Sequence, residues 1–250
     1  ELLRKKGIAK ASKRMERIAA EGLICIYEQD NKFSMIEINS ETDFAAKNNE
    51  FINFAEEVSK LSLTKSGKIE DILISEMANK KNVKDNLINL ISKIGEKVTL
   101  RRCVFIGTDK SVNFSYMHSI LKKNVGKLGV LLSLETTKSK NEIIDLGKRL
   151  AMQVAAFSPL AIDKKSLDQN ILQKEKEIIA EELKNSGKDS KIIDNIAIGK
   201  LNKFISENVL LDQEWIMEPK KKVKDVLKEA AGKDKIEIKK FIRFKVGEGV

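Results

Sequence analysis

The chain carries one histidine, two cysteines and two prolines in 250 residues, and aromatic residues make up only 5%. His118 alone cannot form a multi-histidine metal site, and Cys25 and Cys103 lie too far apart to give the ligand spacing of a zinc centre. Both thiols sit in strand-like segments with apolar neighbours and read as buried, reduced and cytoplasmic. So few rings argue against a large pocket lined by aromatic side chains. No apolar stretch approaches the roughly 18 residues that a membrane helix needs, and no signal-peptide pattern opens the chain. The first residue is Glu1 and not methionine, so a fragment of a longer product is expected.

Reaction centres are equally scarce. A phosphate-cradling loop needs glycines before Gly-Lys-Ser/Thr so that backbone amides converge on the anion; Ser186-Gly-Lys-Asp-Ser190 has neither the earlier glycine nor the adjoining hydroxyl. It reads as a turn between helices. His118 as a general base would need a nucleophile within reach, and Ser115 and Ser119 would project from the opposite face of its strand. Most carboxylates stand at helical spacing beside lysines, the pattern of surface ion pairs. These absences favour a protein that works by binding, with no catalytic residue, cofactor or metal.

What the chain does have is an apolar fraction of 42%, enough for a real core, and 34% charged residues, which suits amphipathic helices with solvated outer faces. Its net charge of +10 makes a basic RNA-binding or ribosome-associated protein the alternative reading. Against it, the basic residues are interleaved with acids, and the densest run, Lys220-Lys-Lys222, has no neighbouring aromatics on which bases could stack.

Hydrophobic periodicity organises the chain. Residues 1–7 resemble a helix tail stopped by Gly7, and a second short helix is expected over 9–20. Strands over 23–27 and 33–38 form a hairpin around the polar loop 28–32, and helices follow at 48–63, 69–79 and 83–93. A second hairpin is expected from 98–106 and 112–119 around Gly107-Thr-Asp-Lys, then a strand over 128–134 with Leu128, Val130, Leu132 and Leu134 facing a core. Ile143, Leu146, Leu150, Val154 and Phe157 make a helix stripe stopped by Ser158-Pro159. Helices over 167–185 and 190–207, broken at Ser186-Gly-Lys188, form a helical hairpin with Gly187 as stop and Asp189 or Ser190 as cap. Such a pair either leans on a neighbouring surface or offers its stripe to another chain, a second copy included, as a coiled coil. A helix over 222–231 and a strand over 236–246 close the chain. The layout is α+β with antiparallel sheet.

One run stands apart, Glu37-Ile-Asn-Ser-Glu-Thr-Asp-Phe-Ala-Ala-Lys-Asn48, where a strand ends in polar residues that set Asp43 and Phe44 at a strand-to-helix junction. Junctions held by rigid elements on both sides are favoured places for binding residues. Two readings are open: Phe44 staples the helix entry by packing on its first turn, or it stands out as a wedge for a partner.

Five segments in order carry a resemblance: Ile38-Asn-Ser-Glu-Thr-Asp-Phe-Ala-Ala-Lys-Asn48, Ile94-Gly-Glu-Lys-Val-Thr-Leu-Arg-Arg102, Lys127-Leu-Gly-Val-Leu131, Ala151-Met-Gln-Val-Ala-Ala156 with Pro159, and Phe241-Ile-Arg-Phe-Lys-Val-Gly-Glu-Gly249. The chain resembles the elongation factor Ts family, the guanine-nucleotide exchange factors for elongation factor Tu. The resemblance implies two core subdomains, each an antiparallel sheet with helices, and a coiled-coil hairpin inserted in the second. On this chain that gives 1–20 as the remnant of an N-terminal helical domain and linker, 21–140 as the first subdomain, 141–166 with 219–250 as the second, and 167–218 as the hairpin. It also implies that Thr42, Asp43 and Phe44 reach the partner's nucleotide-binding domain, Phe44 wedging between two helices beside the magnesium site. Leu128 and Gly129 match another contact position, and Gln153 stands where some members carry histidine.

Overall fold

The computed structural model describes residues 14, 16–107, 110–184 and 190–250. The helix tail expected over 1–7, most of the helix over 9–20, the centre of the Gly107–Lys110 turn, and the Gly187 stop with its Asp189 cap lie outside these. Ile18–Ala20 run without regular structure into the first strand.

Six strands and eight α-helices are described: β1 (Glu21–Gln29), β2 (Lys32–Ser40), α1 (Asp43–Ala46), α2 (Asn49–Thr64), α3 (Ile69–Leu73), α4 (Val83–Ile94), β3 (Val98–Ile106), β4 (Val112–Lys122), β5 (Val125–Thr136), α5 (Ile144–Phe157), α6 (Gln169–Lys184), α7 (Ser190–Asn208), α8 (Val223–Ala231) and β6 (Ile236–Lys245), with a 3-10 turn over Leu210–Asp212. The chain divides into two compact units, one running up to Ser133 and including Ile242–Val250, the other Leu134–Phe241.

In the first unit β1 and β2 pair antiparallel from Glu21↔Ser40 to Gln29↔Lys32. The expected five-residue loop shrinks to Asp30 and Asn31, both left-handed at φ 50° and 61°, the geometry of a tight hairpin turn whose twist matches the strands. Both faces of this ribbon are covered. Leu23, Cys25, Ile36 and Ile38 pack with Phe51, Phe54, Ala55 and Val58 of α2 and with Leu90 and Ile91 of α4. Ile24, Ile26, Phe33 and Met35 pack on the other side with Leu131 and Phe244.

The second hairpin does not form. The sheet order is β3-β2-β1-β5-β4, with β6 pairing β5, so β3 and β4 have three strands between them. β3 ladders along the whole of β2, from Phe33↔Ile106 to Ser40↔Val98. β4 instead meets β5 through the two residues Lys123 and Asn124, the latter at φ 63°. β5 is also buried on both faces, Val130, Leu131, Leu132 and Leu134 being inaccessible, so the alternation read there described only half of its core contacts.

α3 ends at Leu73, not near residue 79. The chain turns there through Val83 N–H to Ser75 O (3.0 Å) and Met77 N–H to Lys81 O (2.8 Å), with Lys80 left-handed, before Asn82 caps α4 by accepting from Asp85 N (2.7 Å).

In the second unit α5 buries Leu150, Ala151, Gln153 and Val154 and stops at Ser158, left-handed at φ 46°. Phe157, placed on the expected stripe, is exposed. α6 and α7 pack on each other, with Lys200 of α7 paired to Glu182 of α6. At their base Ala161, Leu167, Leu172, Ile205 and Val209 form a small core, and Leu160 N–H to Asn208 O and Leu210 N–H to Ala161 O tie the chain entering the pair to the chain leaving it.

Candidate functional site

The junction after β2 begins on polar contacts and ends on two buried alanines, Ala45 and Ala46. β2 and β3 part after Ser40↔Val98, and the next residues would leave backbone donors without ladder partners. Side chains supply them across the gap. Glu41 Oε1 accepts Lys97 N–H at 2.6 Å, and Glu96 Oε2 accepts Thr42 N–H at 3.0 Å while Glu96 Oε1 accepts the Thr42 hydroxyl at 2.7 Å. Arg17 closes on Glu41 at 3.2 Å. The Lys97 amide, and after it the Arg17 guanidinium, holds the Glu41 carboxyl below its ordinary range.

Thr42 is the N-cap of α1: its Oγ1 accepts Ala45 N–H at 3.3 Å, and the Ser40 hydroxyl donates to its carbonyl at 2.8 Å. Asp43 pairs with Lys47 one turn on, at 2.7 Å, and that hydrogen bond pulls the Asp43 carboxyl below its usual range. Phe44 follows with 79% of its surface exposed, its ring attended by the Lys47 ammonium at 5.8 Å. Such exposure excludes the staple reading, which requires the ring to lie against the helix it opens.

Beneath the junction sits a residue the sequence reading passed over. Glu37 is fully buried, in a strand where its neighbours are apolar. A bulge between Glu37 and Ile38 inserts one extra residue into β3, so that consecutive arginines both reach it, Arg101 Nη1 at 3.1 Å and Arg102 Nε at 2.5 Å. Gly247 N–H (2.9 Å) and Asn39 Nδ2 (2.9 Å) also donate to it. Burial alone would raise its pKa; the Gly247 amide, Asn39 and Arg102 outweigh that, and the net shift is downward. The arginines continue to the closing segment, Arg101 to Glu248 O (2.7 Å) and Arg102 to Lys245 O (3.2 Å) and onto the Phe244 ring at 4.1 Å. Gly247, at φ 73°, passes so close to Ala20 O that no side chain fits. The one signal in the sequence was an acid inside an otherwise buried strand.

The other expected contact residues differ in character. Leu128 is half-buried on β5. Gly129 is buried, and a Cβ there would meet Ile24 and Met35 at 2.8 Å, so it offers no side-chain surface. Gln153, expected at a contact position, lies in the other unit and is inaccessible. Its Nε2 donates to Gln213 Oε1 (3.2 Å) and Glu214 O (3.0 Å), and its Oε1 accepts Ile216 N–H (2.9 Å), so its polar atoms are spent inside the protein. The site therefore brings together Thr42, Asp43 and Phe44, and the sequence reading missed Glu37, Glu41, Glu96 and Lys97.

Among the described residues no group of three histidine, cysteine or acidic side chains is placed to hold a metal ion. Cys25, under Ser59, has its thiol pushed up to about 12 by burial, and Cys103 to about 11. His118 is exposed and stacks on Tyr116. No helix among the described residues is long and apolar enough to cross a membrane.

Fold and site together define an α+β protein that presents an apolar side chain on a polar-locked junction. The family model for elongation factor Ts matches residues 41–248. Proteins with the curated name elongation factor Ts are similar along 99% of this chain and 81% of their own length: 37% identical in Maricaulis maris (strain MCS10), 39% in Methylorubrum extorquens (strain PA1) and 35% in Gluconobacter oxydans (strain 621H). The chain belongs to the elongation factor Ts family.

Proposed function

We propose that this chain binds elongation factor Tu and promotes release of GDP so that GTP can bind, by displacing the elements that hold magnesium and phosphate. The observation that carries the reading is Phe44, 79% exposed on a junction fixed from both sides. A GTPase grips GDP through phosphate-loop amides and magnesium, so a partner that binds the displaced arrangement better lowers nucleotide affinity by its coupling free energy. No covalent bond is made or broken in the exchange, and this chain is not read as an enzyme. A buried aromatic anchor supplies about 2 kcal/mol or more as an interface hot spot, which is ample to bias such an equilibrium. Asp43, held to Lys47, keeps the first turn in place while the ring enters the partner.

Leu128 is read as a second contact. Gly129 serves it by letting the strand lie close over Ile24 and Met35. Gln153 contributes by holding the turn from Gln213 to Ile216 and not by touching the partner. We read 21–140, and 141–166 with 219–250, as two core subdomains, and α6 with α7 as a coiled coil whose exposed Ile171, Ile178, Ile192 and Ile198 offer a surface to a partner or a second copy. The working compartment is the cytoplasm. RNA is left out of the reading because many of the lysines and arginines are matched by acids, as Lys93 is by Glu50 and Lys122 by Glu56.

The test is co-purification with elongation factor Tu. A complex is expected in nucleotide-free buffer, and its loss on adding GDP with magnesium, since linkage makes each ligand weaken the other by the same factor. A complex indifferent to nucleotide, or none at all, would contradict the proposal.

A further inference from the structure

We infer that Glu96 is a positioning residue for Phe44, acting through Thr42, with Glu41 as its reciprocal partner; the inference rests on the exchange reading above. The starting point is how little holds Phe44 itself. α1 is four residues long, too short to stand by its own hydrogen bonds, and the Phe44 ring is 79% exposed with the Lys47 ammonium 5.8 Å from its centre. The direction of the ring is therefore the direction of the α1 backbone, which the buried Ala45 and Ala46 seat at its end and the Thr42 cap sets at its start.

The cap is set in turn from 54 residues away. Glu96 takes both donors of Thr42, the amide on one carboxylate oxygen and the hydroxyl on the other. With its proton committed to Glu96, the Thr42 hydroxyl has its lone pairs free for Ala45 N–H, and a hydroxyl that donates to a carboxylate accepts more strongly. Glu41 answers in the opposite sense, accepting the amide of Lys97, the residue after Glu96. Two carboxylates thus cross between two parting segments, and each caps the backbone of the other. Gly95, left-handed at φ 84° as the C-cap of α4, delivers Glu96 to this place, and its own amide is satisfied by Ile91 O. Glu96 is half-buried, stands outside the apolar core and makes its bonds to Thr42 on the exposed side of the junction, so it can be changed without opening a core cavity. This gives Ile94-Gly-Glu-Lys-Val-Thr-Leu-Arg-Arg102 two tasks: Arg101 and Arg102 hold the strands through Glu37, and Glu96 aims the junction.

Stimulated release of labelled GDP from elongation factor Tu tests the inference, measured over a range of factor concentrations with wild type, Glu96→Ala, Glu96→Gln, Phe44→Ala and the Glu96→Ala/Phe44→Ala pair. Loss of a cap and two charge-assisted hydrogen bonds predicts about a tenfold fall in kcat/KM for Glu96→Ala. Glu96→Gln, which keeps one acceptor oxygen and serves also if the alanine variant folds poorly, should recover part of it. Because Glu96 works through Phe44, the double variant should be no slower than Phe44→Ala alone. Multiplying losses would show that Glu96 acts independently and would overturn the inference, as would wild-type rates in both Glu96 variants beside a slow Phe44→Ala. Full activity of Phe44→Ala would instead remove the exchange reading on which the inference stands.

Discussion

α1 and α2 follow each other closely, and each has a phenylalanine in its first turn, yet Phe44 is 79% exposed and Phe51 is wholly buried. The difference lies in what anchors each helix. α2 is sixteen residues long and is held by an apolar face laid on Leu23, Cys25, Ile36 and Ile38, so its ring is part of the fastening. α1 is held at its start by Glu96, Glu41 and the Thr42 cap and at its end by the small buried side chains of Ala45 and Ala46, which frees its ring from structural duty. A protein can present an apolar group to a partner without weakening itself when other contacts carry the local structure, and here the Thr42 cap before the ring and Ala45 and Ala46 after it do so.

That contrast can be broken by mutation. Phe51→Ala should cost the most, about 3–5 kcal/mol for a large ring removed from a packed core, read as a lower thermal or denaturant midpoint. Glu37→Gln comes next: two arginines lose their shared carboxylate, though both are partly open to water, and a loss of about 2–3 kcal/mol is expected. The same residue sets an acid limit. Its folded pKa lies below the unfolded value of about 4.3, so its contribution is complete above that value and drains away as pH falls through the folded pKa. Stability measured against pH should therefore fall below about pH 4 in wild type, and less steeply in Glu37→Gln. Shortening the outer turns of α6 and α7 while keeping the base core of Leu167, Leu172, Ile205 and Val209 should leave the fold standing with a small change in midpoint. Collapse of that variant would show that the helix pair supports the rest. Phe44→Ala should have the smallest effect on stability, within about 0.5 kcal/mol as for other exposed positions.

Much of the fold was legible because apolar residues recur with one period at a time. β3 spans the expected residues, and α2 and α4 lie within a residue of the expected bounds. Strand pairing was less so: nothing local in residues 107–111 tells β4 to leave the open edge of β3 and pair with β5, a strand that comes later in the chain. α3 was drawn too long because Ile69, Leu73 and Met77 continue a helical spacing that the Glu76–Asn82 bridge interrupts. At the site, Thr42, Asp43 and Phe44 could be singled out from their junction, but the exposure of Phe44 could not, because a ring between two periods belongs to neither face. The partners that fix the junction are 54 to 56 residues distant, and the burial of Glu37 depends on a bulge in a neighbouring strand. Such pairings are properties of the folded chain.

The central claim is that the exposed ring works on a partner and not on its own fold. Release of labelled GDP from elongation factor Tu by catalytic amounts of wild type and of Phe44→Ala, with the thermal midpoint of each taken from the same preparations, tests it most directly. The account predicts slower stimulated release, by about thirtyfold for a hot spot of about 2 kcal/mol, at an unchanged midpoint. Unchanged release, or a fall in midpoint large enough to explain the loss, would contradict it.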